Sequence, residues 1–185
     1  MSEFFDHITP DHAAFIARQP VYFVATAAPD ARLNLSPKGM DTFRVLGGGR
    51  ACAYVDFGGS GNETHAHLAA DGRITIMFCA FDQPALIYRI YGRGRAVLPQ
   101  DDGWEALAAH FTIERGVRQI FLIDVESAQT SCGWGVPKMQ LVEERETLRK
   151  YFRQDDPQVR LAKYQERDRS IDGLPVTPPS HLPYS

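Results

Sequence analysis

The side chains best suited to chemistry in this sequence are small, polar or cationic, and they recur at short intervals. Asn34, Ser36 and Lys38 occupy every second position of Arg32-Leu33-Asn34-Leu35-Ser36-Pro37-Lys38. On an extended backbone they project from one face, and Leu33 and Leu35 take the other. Further on, Gly58-Gly59-Ser60-Gly61-Asn62 reads as a flexible loop that opens a helix beginning near Thr64. The start of a helix attracts anions, because its first N–H groups lack partners and the dipole is positive there. One ammonium group, hydroxyl and amide donors and a helix start together suit a single terminal phosphate. The same residues admit a plainer role, with Ser60 or Asn62 capping the helix and Lys38 solvated at a turn. Arg89, close to Tyr88 and Tyr91, reads on its own as a surface arginine on a sheet wall.

Other chemistries find no matching pattern. Gly92-Arg93-Gly94 lacks the third glycine of a dinucleotide fingerprint and does not stand between a strand and a helix. The loop at 58–62 has no Lys-Ser/Thr pair, and there is no G-x-S-x-G elbow. His65 and His67 are two apart, so on a helix they point in different directions, unlike the i, i+4 pair that grips zinc. They read as solvated helix-face histidines, and no metal site is expected. Cys52 and Cys79 fall mid-strand and read as small hydrophobes, which leaves Cys132 as the candidate reactive thiol.

These residues need a scaffold, and the chain supplies one of ordinary globular kind. Its 185 residues are 44% hydrophobic and 23% charged, enough apolar surface for a single core and too much for disorder. Twenty Lys and Arg against 23 Asp and Glu leave a net charge of −3, so no global basic field recruits nucleic acid or acidic lipid. Three scattered cysteines suit a reducing compartment better than a disulfide framework. The acidic N-terminus does not resemble a signal peptide, and no apolar run approaches the roughly 20 residues of a membrane helix. A cytoplasmic protein is expected.

Thr9-Pro10-Asp11 marks a helix start that should run to about Arg18. Strands are expected over 21–27, 32–37, 51–57, 73–81, 85–98 and 118–125, and helices over 64–70 and 101–111. A Gly-rich loop at 131–137 follows, then charged helical stretches at 142–153 and 157–168. The proline-rich tail at 174–179 is not expected to form a regular packed element. Closely spaced strands with few intervening helices indicate an antiparallel barrel rather than a βαβ sheet. The division expected is a barrel over 1–141 and a helical extension over 142–185 packed on it.

Several segments together carry a resemblance. Val24-Ala25-Thr26, Asn34-Leu35-Ser36-Pro37-Lys38-Gly39, Tyr54-Val55-Asp56 and Gly61-Asn62-Glu63-Thr64 come first. Arg73-Ile74-Thr75-Ile76-Met77-Phe78 and Arg89-Ile90-Tyr91-Gly92-Arg93-Gly94 follow in order. Thr130-Ser131-Cys132-Gly133-Trp134-Gly135-Val136-Pro137 and Arg169-Ser170-Ile171-Asp172-Gly173-Leu174-Pro175 complete the series. With them the chain resembles one branch of the pyridoxamine 5′-phosphate oxidase-like family. The resemblance implies a mainly β fold, a six-stranded antiparallel FMN-binding split barrel with flanking helices. It also implies a homodimer with the flavin at the subunit interface.

By strand order Asn34, Ser36 and Lys38 match the region that lies against the flavin and its phosphate. Ser60 and Asn62 match the phosphate-binding Ser-x-Lys of the true oxidases, with Asn62 in the lysine's place. The oxidases' Arg-(x)4-Lys strand pair is missing, and Arg169-Ser170-Ile171 replaces their substrate-binding Arg-x-His. These departures set pyridoxamine phosphate aside as the expected substrate.

A flavin carries its own redox chemistry, so no acid–base dyad is required of the protein. Arg89 would then stabilise the anionic reduced ring, and Trp134 or Tyr54 would offer an aromatic wall. The function expected is an FMN-dependent oxidoreductase acting on a small molecule. The alternatives are a flavin-binding redox or stress protein without turnover, and a haem-binding split barrel using His65 or His67.

Overall fold

A computed structural model describes residues 2–184 of the chain. The elements are β1 (Glu3–Phe5), α1 (Pro10–Ile16), β2 (Val21–Thr26), β3 (Asn34–Gly39), β4 (Phe43–Leu46) and β5 (Ala51–Phe57). After them come α2 (Glu63–Ala70), β6 (Arg73–Cys79), β7 (Leu86–Val97), α3 (Trp104–Ala108), β8 (Val117–Cys132), α4 (Thr147–Arg153) and α5 (Pro157–Gln165). One curled antiparallel sheet runs in the order β3-β2-β6-β7-β8-β5-β4, with β1 added against β8.

The antiparallel split barrel is the fold expected, but among the described residues it has eight strands rather than six. Each extra strand is too short to show a period of its own. β1 has three residues and is held by pairing Phe4 with Gln129 near the far end of β8. β4 has four, between a turn with Met40 in the left-handed region and the Gly47–Gly49 turn. β8 is also longer than expected, at 16 residues. Its first half pairs with β5 and its second half reaches past the bend to β1. The bend lies opposite Gly92, where a Cβ would fall 2.2 Å from the Asp124 carbonyl oxygen. Only glycine fits there.

β2, β6 and β7 alternate as half-buried strands should. Tyr22, Val24, Ile76, Phe78, Tyr88 and Ile90 share the inner face and form the main core with Tyr54, Phe121 and Ile123. A second cluster of Ala53, Val55, Val117 and Ile120 lies under α3 with Trp104 and Leu107. That helix is shorter than expected because Gly103, at φ 89°, interrupts the backbone before Trp104.

The first C-terminal helix begins at Thr147, later than expected, and residues 137–146 form no regular element. Phe152 of α4 lies where a Cβ on Gly116 would be, and Tyr164 of α5 does the same at Gly58. The tail at 174–179 has neither helix nor strand, as expected, yet it packs. Val176 is buried and donates its N–H to the Asp168 carbonyl at 2.8 Å. Among the described residues no helix is long and apolar enough to cross a membrane.

Candidate functional site

Strand β3 is an edge strand whose inner face continues that of β2: Asn34 pairs with Thr26, Ser36 with Val24 and Lys38 with Tyr22. On β2 these positions are buried in the core. On β3, with no further strand beyond, they reach into a cavity of about 260 Å³ closed by the end of β5 and the loop before α2. Asn34, Ser36, Lys38, Ser60 and Asn62 all line it, together with Asp56 and Arg118.

Asp56 is the electrostatic centre. Its side chain is 6% exposed, as is fitting for an ion pair with Arg118, itself 5% exposed. One carboxylate oxygen accepts from Arg118 Nη2 (2.8 Å) and Nε (3.2 Å) and from Gln119 Nε2 (2.9 Å). The other stands 3.5 Å from Lys38 Nζ. Burial works to raise the Asp56 carboxyl, but Arg118 and Lys38, helped by the hydrogen bonds, hold it below the usual carboxylate range. It therefore stays ionised at neutral pH and holds two cations at the cavity wall.

Gln119 links this pair to α2. Its Nε2 also donates to Asn62 Oδ1 at 2.8 Å, and its Oε1 lies 2.8 Å from His65 Nδ1. A carboxylate can only accept, so the Gln119 amide is oriented by Asp56, and His65 Nδ1 must carry a proton. His65 Nε2 accepts from the Thr177 N–H at 3.3 Å, which makes the imidazole neutral. Burial lowers its pKa accordingly. His67 Nδ1 lies 3.1 Å from Thr26 Oγ1, which also accepts from Asn34 Nδ2 at 3.1 Å. Asn34 Nδ2 reaches Thr64 Oγ1 at 3.0 Å, tying the edge strand to the helix start.

The two histidines are thus not solvated, contrary to the reading of α2 as a surface helix. Both are buried, His65 beneath the C-terminal tail at Thr177 and His67 against Thr26 of β2, neither of which local spacing reveals. Both ring nitrogens of His65 are engaged, leaving none for an axial haem ligand. Asn62 stands at the N-cap position of α2 but makes no cap; its side chain turns to Gln119 instead.

The plain reading of Lys38 as a solvated turn residue also fails, since it lies in β3 beside Asp56. Arg118 is the site residue that spacing missed. A signal was present in Asp56 and Arg118-Gln119, polar residues that end one apolar strand run and begin another.

Arg89 and Trp134 lie elsewhere. Arg89 pairs with Met77 and Gln129 on the outer face of the sheet, and its Nη1 donates to Ser131 Oγ at 2.8 Å. Trp134 follows β8 and is 86% exposed. Tyr54 is wholly buried in the core against Phe121, their ring centroids 5.1 Å apart. Cys132 closes β8 as an exposed thiol, and Cys52 and Cys79 are buried.

An antiparallel split barrel with a polar cavity between its edge strand and a glycine loop defines a class, and comparison with known proteins identifies it. The family model described as pyridoxamine 5′-phosphate oxidase matches residues 8–132, and the chain belongs to that family. It is 33% identical over 194 residues to the pyridoxamine 5′-phosphate oxidase family protein ustO of Aspergillus flavus, covering 95% of this chain and 78% of that one. Among solved structures, a point variant of HupZ from Group A Streptococcus matches with a TM-score of 0.54 at 21% identity, over 67% of this chain and 99% of that one. A second HupZ structure gives 0.50 at 24% identity, over 64% of this chain and 90% of that one. Both likenesses concern the fold.

Proposed function

We propose that this chain binds FMN, with the phosphate in the cavity between β3 and the loop before α2, and acts as an FMN-dependent oxidoreductase on a small molecule. The observation that carries this is the convergence of Asn34, Ser36, Lys38, Ser60 and Asn62, from two separated segments, on one polar cavity. The donor set fits a terminal phosphate. Lys38 Nζ and Arg118 supply positive charge beside the Asp56 and Glu63 carboxylates, Ser60 is exposed at the loop, and the N–H groups of Ser60, Gly61 and Asn62 make no backbone hydrogen bond among the described residues. FMN supplies the hydride or electron transfer. The protein's part is to hold the phosphate with charge-assisted hydrogen bonds and to orient Asn34 and Ser36 through the Thr26 and Thr64 hydroxyls.

The reading includes a homodimer. Leu35, 67% exposed, and Pro37 place apolar surface on the outer face of β3, and Leu33, 83% exposed, adjoins it. Next to them a groove of about 590 Å³ is lined by Ala25, Thr75 and Tyr91. Burying this face against a second copy encloses the flavin ring, which one shallow cavity cannot do. Arg89 and Trp134 lie away from this cavity, so assigning them to the flavin ring depends on that second copy. Three free thiols suit a reducing, cytoplasmic setting.

The test is an absorption spectrum followed by titration with FMN, FAD and riboflavin. FMN should bind most tightly. Lys38→Ala should weaken FMN by about 10- to 150-fold, the scale of one hydrogen bond to a charged group, and riboflavin far less. Equal or tighter affinity for FAD overturns the phosphate assignment, and a Soret band on the purified protein replaces flavin with haem. Bound flavin without turnover by NADH or NADPH reduces the reading to a redox-binding protein.

A further inference from the structure

The loop at 58–62 is held by two arginines, and one of them comes from the C-terminal segment. Arg167 Nη1 donates to the carbonyl oxygens of Gly59 (2.8 Å) and Ser60 (2.9 Å), and Arg118 Nη1 donates to that of Gly61 (3.1 Å). Three consecutive carbonyls are thus occupied by guanidinium groups. In a trans peptide the carbonyl and the following N–H point in opposite directions. Fixing these carbonyls turns the N–H groups of Ser60, Gly61 and Asn62 away from the arginines that hold them. The same residues line the cavity together with Lys38, and Arg167 lies outside that lining, so its grip on the Gly59 and Ser60 carbonyls comes from the side away from the cavity. Successive N–H groups held one way form a concave anion site, and fixed dipoles of this kind need no reorganisation when the anion arrives.

We propose that Arg167 is a positioning residue for the cofactor phosphate: it touches no ligand atom and acts by fixing the peptide planes of the loop. This rests on the FMN reading above. The loop needs such a device because three of its five residues are glycine, whose backbone rotates freely. A rotated peptide would aim a carbonyl oxygen at the phosphate in place of an N–H.

The segment that carries Arg167 is itself anchored to the loop. The Tyr164 hydroxyl donates to the Gly116 carbonyl at 3.3 Å, and its ring lies under the Arg118 guanidinium at 5.5 Å. A Cβ on Gly58 would fall 1.8 Å from the Tyr164 oxygen, so the two segments meet without a gap. Farther along, Ile171 N–H reaches the Glu63 carboxylate at 3.1 Å, and Asp172 pairs with Arg32. The site is therefore completed by residues more than a hundred positions from the loop.

The test uses the full chain as wild type, Arg167→Ala and Arg167→Lys. FMN and riboflavin are titrated into each at low salt and at about 0.5 M salt, where charges beyond a few ångströms are screened. Arg167→Ala should lose about tenfold in FMN affinity with riboflavin unchanged, as expected for misdirected hydrogen bonds to a charged group. The loss should persist at high salt, and Arg167→Lys should recover part of it. Unchanged FMN affinity overturns the proposal, as does a loss that vanishes in salt, which would make Arg167 a distant charge. Equal loss for riboflavin also overturns it, as damage to the whole site.

Backbone nitrogen relaxation of Ser60, Gly61 and Asn62, measured without ligand, separates this proposal from the cofactor reading. If wild type binds no FMN, the cofactor reading fails by itself. Lower order parameters at these amides in Arg167→Ala then still support loop positioning, and equal order parameters remove it.

Discussion

Strands β2 and β3 lie side by side in register, yet they use the two faces of the sheet in opposite ways. β2 turns Tyr22, Val24 and Thr26 into the core and leaves Val21, Phe23 and Ala25 half-buried outside. β3 turns Asn34, Ser36 and Lys38 inward and presents Leu35 and Pro37 to the exterior. An antiparallel sheet with one solvated face ordinarily alternates apolar-in and polar-out, and edge strands are usually protected by charge. The inversion on β3 leaves two demands unmet within a single chain. The polar inner face calls for a polar ligand, and the apolar outer face calls for another surface. One strand thus joins the proposed cofactor site to the proposed dimer contact.

The polar side of this contrast is broken most severely by Asp56→Ala. Arg118 and Lys38 would lose their shared counter-ion, and removing one partner of a buried pair costs about 3–5 kcal/mol. Thermal unfolding should show a large drop in Tm, and a variant as stable as wild type would mean that the trio contributes nothing. The apolar side is tested by Leu33→Asp with Leu35→Asp. Each buried leucine contributes roughly 1.5–3 kcal/mol, so dimer affinity should fall by at least about tenfold. Sedimentation over a concentration series reads this directly, and a monomeric wild type or an unmoved equilibrium removes the dimer.

The smallest effect is pH dependence of the network behind β3. Burial lowers the pKa of His65, so the folded chain keeps it neutral where the unfolded chain takes up a proton. Its contribution is therefore full above about pH 6.5 and declines as pH falls below that value. Asp56 shows the opposite charge logic: with its pKa depressed, its stabilisation survives until pH falls below the ordinary Asp range. Between pH 7.5 and 5.5, Tm should decline modestly in wild type and less in His65→Gln. His12, also lowered by burial, remains in both and accounts for what is left. Parallel profiles for the two proteins would show that His65 does not titrate in this range.

Local periodicity was sufficient wherever an element declares itself through its own residue types and spacing. The capped start of α1, the strand at 51–57 and the alternation of β3 follow from residue type and spacing. The paired positions of Asn34, Ser36 and Lys38 were legible for the same reason, since a period of two needs no knowledge of the rest of the chain. What spacing could not supply is which face of β3 looks inward, because alternation is symmetric until a second surface is named. That surface is β2 on one side and the loop at 58–62 on the other.

Arg118, His65 and Arg167 were beyond reach for a related reason. Each gains its role from a partner 46 or more residues away, Tyr164, Thr177 or Gly59, as the barrel closes and the tail folds back. The sequence by itself determined a β-rich chain with a strand polar on one face and a glycine loop that could meet at a phosphate. Only the tertiary structure decided that a buried carboxylate would hold two cations there and that the C-terminal segment would orient the loop. Charge burial and peptide orientation depend on what surrounds a residue in space, and neighbours in sequence do not specify that.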